Sequence, residues 1–86
     1  MRVVVLTRND TDYARAIEMF VTDFARQTGK ALEVLDIDSP EAESLARTYD
    51  IVQYPTIIAV SDDGQMQNMW SGTTLPTISE VSYYVQ

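Results

Sequence analysis

Apolar residues fill consecutive positions from Val3 to Leu6, a run with no wet face, so Arg2–Thr7 is expected as a strand buried on both sides. The period then changes. Tyr13, Ile17, Phe20, Val21 and Phe24 recur at helical spacing, with Asn9–Asp12 ahead of them as cap and turn chemistry. Gly29 is the expected stop, and Arg26 and Lys30 sit near the helix's negative end. Leu32–Ile37 is a second strand pattern. Asp38-Ser39-Pro40-Glu41 then places a cap before a proline in a first helical turn, and Ala42, Leu45, Ala46 and Tyr49 carry that helix to about Tyr49. Two strands joined through a helix make a parallel βαβ pair with a right-handed crossover.

Downstream, Thr56–Val60 and Met66–Trp70 are strands around Ser61-Asp62-Asp63-Gly64-Gln65, whose Asp-Gly step signals a hairpin that ends at Gly72. Thr77 followed three residues later by Glu80 is a capping box, with Ile78, Val81 and Val85 on one face of a last helix. The order β-α-β-α-β-β-α, without linker or repeat, predicts one α/β domain over residues 1–86. Its four-stranded mixed sheet would carry helices on both faces.

A length of 86 residues suits a single hydrophobic core, and 45% hydrophobic with 22% charged residues is a globular composition. Cysteine and histidine are both absent, so neither a disulfide nor a soft-metal site supplements the core and packing carries the stability. Thirteen acidic residues against six basic give a net charge of −7. That charge repels phosphate, and Arg2, Arg8, Arg15, Arg26, Lys30 and Arg47 form no cluster, so neither nucleic acid nor an anionic membrane is expected as a partner. The runs Val3–Leu6 and Ile57–Val60 are too short to span a bilayer. No basic and apolar leader pattern precedes the first strand, which leaves a cytoplasmic location as the default. Asp36 with Asp38 and Asp62 with Asp63 have the spacing of strand-end and turn residues, not of a calcium loop, so no metal is expected.

Three segments carry a resemblance. Tyr49-Asp50-Ile51-Val52-Gln53-Tyr54-Pro55-Thr56 is similar to a stretch with a tyrosine, a β-branched residue and an apolar residue before Pro-Thr. Val5-Leu6-Thr7-Arg8-Asn9-Asp10-Thr11-Asp12-Tyr13-Ala14 resembles a strand followed by Thr-Lys, two turn residues and Cys-Pro-Tyr-Cys. Trp70-Ser71-Gly72-Thr73-Thr74-Leu75 resembles a glycine turn after a hairpin. In this order they resemble the thioredoxin-like superfamily, thioredoxins and glutaredoxins, across nearly the whole chain. The resemblance implies strand order 2-1-3-4, an antiparallel last strand at one edge, and a cis peptide before Pro55. It places Thr11 and Ala14 at the two thiol positions, Asp12 at the proline between them, and Tyr13 at the aromatic.

Dithiol exchange needs a thiolate and a second thiol to resolve the mixed disulfide. Thr11 offers an alcohol and Ala14 a methyl group, so thiol–disulfide oxidoreductase activity is excluded. The position that thioredoxins give to a buried carboxylate is Val5 here. A threonine nucleophile needs an adjacent base, and without histidine Asp10, Thr11 and Asp12 are expected as helix caps instead. No catalytic residue is assigned.

Binding is the function that survives these losses. The resemblance implies that the residue before the cis-proline, Tyr54, offers its backbone N–H and C=O to an extended peptide or to glutathione. Tyr13 would be an adjacent aromatic wall, Arg8 would stand where a glutaredoxin lysine meets glutathione's carboxylate, and Thr74 would contact the other end. The candidate set is therefore Arg8, Asp12, Tyr13, Tyr54, Pro55 and Thr74. The expectation is a monomeric, non-redox binding module for a protein or peptide partner, without a cofactor. The alternative is a glutathione-binding or glutathione-transferase-like protein derived from a glutaredoxin. Trp70, Tyr83 and Tyr84 invite an interface, although half-buried packing is the default for Trp70. Neighbouring Tyr83 and Tyr84 cannot both face the core from one helix.

Overall fold

A computed structural model describes residues 1–8, 11–72 and 74–85. The elements run β1 (Arg2–Thr7), α1 (Ala14–Thr28), β2 (Glu33–Asp36), α2 (Pro40–Tyr49), β3 (Thr56–Val60), β4 (Met66–Ser71) and α3 (Ile78–Ser82). The four strands form one sheet in the order β2-β1-β3-β4, with β1 and β2 parallel and the other two pairings antiparallel.

Period-2 alternation in the central strands explains the two core layers. Val3 and Val5 of β1, with Ile57 and Ala59 of β3, face Ile17 and Phe24 of α1 and Val81 of α3. Val4 and Leu6, with Ile58 and Val60, face Ala42 and Ile51 on the α2 side. Strands β1 and β3 are central, so both faces of each are covered and Val3–Thr7 and Thr56–Val60 are all buried. Edge strand β4 alternates half-buried Met66, Asn68 and Trp70 with exposed neighbours.

Chain punctuation follows local chemistry. Gly29 closes α1 in the left-handed region at φ 76°, donating its amide to Ala25. Ser39 caps α2 by accepting from the Ala42 amide at 3.2 Å, with Pro40 at the first position. Asp50, a non-glycine residue at φ 57°, ends α2. The Thr77–Glu80 capping box opens α3 reciprocally. At the bottom of the sheet the Arg2 guanidinium joins Glu33 of β2 to Glu41 of α2, and it holds the Glu33 carboxyl below the usual carboxylate range.

Two expectations need correction. The cap of α1 is Tyr13, with no side-chain cap bond; Thr11 and Asp12 lie in a turn before it, and Asp10 falls outside the described residues. The Thr11 hydroxyl donates back to the Arg8 carbonyl at 2.9 Å, so it is committed to the turn rather than to the helix amides. Strand β2 is shorter than Leu32–Ile37: its pairing with β1 runs over Glu33–Asp36, and although the Ile37 amide still donates to the Thr7 carbonyl, Asp36 accepts from the Asp38 and Ser39 amides and turns the chain into α2.

Candidate functional site

Register brings the candidate segments to one end of the sheet. Leu6 pairs with Thr56, and Thr56 pairs with Ser71. The exit of β1 (Arg8), the entrance of β3 (Tyr54 and Pro55) and the exit of β4 (Gly72) therefore meet there, with the turn into α1 rising from the same end.

Pro55 is fully buried and joined to Tyr54 by a cis peptide. Its carbonyl accepts from the Gly72 amide at 2.9 Å, while the Thr56 hydroxyl donates to the Gln53 carbonyl and lies 3.3 Å from Ser71 Oγ. These bonds brace the segment on both sides of Tyr54. Among the described residues, neither the N–H nor the C=O of Tyr54 itself has a hydrogen-bond partner. Its ring is half-buried against the α2 layer.

Thr11 and Ala14 lie one turn apart. The Ala14 amide donates to the Thr11 carbonyl at 3.2 Å, and the Ile17 amide donates to Tyr13. Tyr13 packs against the α1/α3 layer, opposite the layer that takes Tyr54. A ligand touching both rings must cross the end of the sheet. Arg8, Asp12 and Thr74 are exposed; Asn9, Asp10 and Thr73 beside them lie outside the described residues.

Two grooves beside Thr11 and Ala14 lie on the α1 side. A groove of about 410 Å³ runs between the α1 stripe Ala14, Ile17 and Val21 and exposed Val34 of β2, with Thr7 at its floor. A second groove passes from Thr11 and Ala14 along the outer face of α1 to Met19 and Arg26. Tyr13, Tyr54 and Pro55 line neither. Val5 is fully buried in the core. Thr7 was missed by sequence reasoning: its buried hydroxyl has no hydrogen-bond partner among the described residues. The only signal was a polar residue ending a fully apolar strand.

The acidic pairs act as turn and charge partners. Asp36 accepts from the Asp38 amide at 2.9 Å, Asp63 from the Ser61 hydroxyl, and Asp62 from the Met1 ammonium at 2.7 Å.

No protein-family model matches this chain, and no curated protein matches it. Solved structures do. Thioredoxin 1 from Thermosipho africanus aligns with a TM-score of 0.66 and 18% identity, covering 99% of this chain and 90% of that one. Mitochondrial thioredoxin 3 from Saccharomyces cerevisiae gives 0.66 and 15%, over 94% and 72% of the two chains. Thioredoxin O2 from Arabidopsis thaliana gives 0.67 and 13%, over 95% and 69%. At such identities the likeness is one of architecture, and it agrees with the strand order and element order described above. The chain has the thioredoxin-like fold, and it contains no cysteine.

Proposed function

We propose that this domain is a non-redox binding module that takes an extended peptide at the end of the sheet, on the backbone of Tyr54. One observation carries the reading. The N–H and C=O of Tyr54 are unpaired among the described residues, while the residues on either side of it are braced by hydrogen bonds. A peptide strand laid across this end would supply the missing donor and acceptor, gaining main-chain bonds without reordering the protein. In this reading the side chains of Arg8, Asp12, Tyr13 and Thr74 would select the occupant. With an alcohol at Thr11 and a methyl group at Ala14, the bound chain would be held and not reduced.

Amide chemical shifts test this directly. Titration of labelled protein with unfolded peptides should move the Tyr54, Thr56 and Tyr13 amides together; shifts confined to other surfaces reject the site. Calorimetry with reduced glutathione tests the competing reading, which rests on exposed Arg8 and Thr74. Heat that is lost in Arg8→Ala would transfer the site to that ligand.

A further inference from the structure

Trp70, Tyr83 and Tyr84 line one cleft at the β4 edge of the sheet. Trp70 of β4 and Tyr84 just beyond α3 meet with ring centroids 5.6 Å apart at 69°, and Tyr83 meets Tyr84 at 5.0 Å and 82°. The Asn68 side-chain amide donates to the Tyr84 hydroxyl at 3.2 Å and fixes that ring against the sheet. Trp70 and Tyr84 lean on the α1/α3 core layer, whereas Tyr83 is 70% exposed. The cleft these rings share with Asn68 and Glu80 has a volume of about 240 Å³.

We infer that this cleft binds a quaternary ammonium group, with Trp70, Tyr83 and Tyr84 as walls and Glu80 as counter-charge. Rings meeting near right angles turn more than one electron-rich face toward the same corner, which attracts a cation through the ring quadrupoles. The lining includes one carboxylate and no basic residue. Glu80 stays ionised, because the Thr77 amide and hydroxyl, each 3.0 Å from Glu80 Oε1, hold its carboxyl below the usual range.

The aromatic walls choose among cations. A primary ammonium must replace each hydrogen bond to the water it loses, and ring faces do not replace them. A methylated nitrogen has no N–H to satisfy and is weakly hydrated, so aromatic faces and a nearby charge suffice. The volume is below the ~300–1,000 Å³ of sites that enclose drug-sized ligands, so a cationic head group fits and a larger body stays outside. The site is independent of the peptide-binding reading.

Trp70 is the sole tryptophan, so its emission reports on the cleft without a label. Tetramethylammonium and choline, titrated at constant ionic strength, should each produce a saturable change with a dissociation constant on the order of millimolar, as exposed cation–π contacts allow. The uncharged carbon analogue of choline, 3,3-dimethylbutanol, should not. Glu80→Gln removes the charge yet keeps a capping-box residue, so it should stay folded and bind at least about threefold more weakly. Tyr83→Ala, truncating an exposed ring, should weaken binding comparably. Asp38→Asn, an exposed carboxylate elsewhere, should leave it unchanged. A trimethyllysine peptide tighter than choline would assign the group to a protein tail, and the reverse to a small molecule. Equal response to the uncharged analogue, equal loss in Asp38→Asn, or no saturable change in folded protein overturns the site.

Discussion

The Gly72 amide donates to the Pro55 carbonyl at 2.9 Å, locking the exit of β4 to the entrance of β3 beside Tyr54. Gly72 makes this bond at φ 93°, a conformation that L side chains rarely adopt, although no atom would crowd a Cβ there. Gly72→Ala should therefore cost about 1 kcal/mol through backbone strain alone. Urea denaturation with an unchanged m-value would confirm it. An unaltered midpoint would show that the turn has another accessible conformation.

Thr7→Val removes a buried hydroxyl that has no partner among the described residues and keeps the side chain's shape. Relief of the desolvation penalty should raise stability by about 1 kcal/mol. A loss of stability on thermal melting would show that the hydroxyl is bonded in solution.

Restored thiols probe the loop alignment. The Ala14 amide bonds to the Thr11 carbonyl in a turn, whose ends lie within about 7 Å, inside the reach of a disulfide. Thr11→Cys with Ala14→Cys should oxidise to an intramolecular disulfide, read by thiol titration, and its dithiol form, regenerated by dithiothreitol, should reduce insulin. Two thiols that stay free under oxidant would place the catalytic pair of the fold elsewhere in this loop.

Arg2 depresses the Glu33 carboxyl by hydrogen bonding and then by its charge. A carboxyl lowered in the folded state stabilises above its unfolded value, near about 4.3, and the gain disappears as pH falls through the lower folded value. Both side chains are around two-fifths exposed, so solvent screening holds the effect to about 0.5 kcal/mol. Arg2→Gln should flatten the stability curve between about pH 5 and 3, and high salt should mimic it.

Thr77→Ala breaks the capping box of a helix only five residues long. A loss of about 1 kcal/mol is expected, with fraying of Val81, the only fully buried side chain of α3. Amide exchange over Ile78–Ser82 would report it.

Local chemistry was legible wherever it was decided within a few residues. Ser39-Pro40, Gly29, the Asp-Gly hairpin and the Thr77–Glu80 box each act over one turn of chain, and each stands where the pattern put it. Legibility failed where two local solutions competed. Thr11 could cap α1 or bond backwards to Arg8, and the backward bond won, leaving Tyr13 as an uncapped start. Strand β2 ends early for a similar reason, since the turn built on Asp36 takes over directly after the last bond to β1, from the Ile37 amide to the Thr7 carbonyl.

Element identity, chain order and the absence of thiol chemistry were therefore written in the residues, because periodicity, caps and the presence of sulfur are local properties. Pairing register and layer assignment are not. Only the packed sheet set Tyr13 and Tyr54 on opposite layers, left the Tyr54 backbone and the Thr7 hydroxyl without partners among the described residues, and joined Trp70 to Tyr83 and Tyr84. Each of these depends on which distant strand or helix arrives alongside, and short-range spacing carries no information about that.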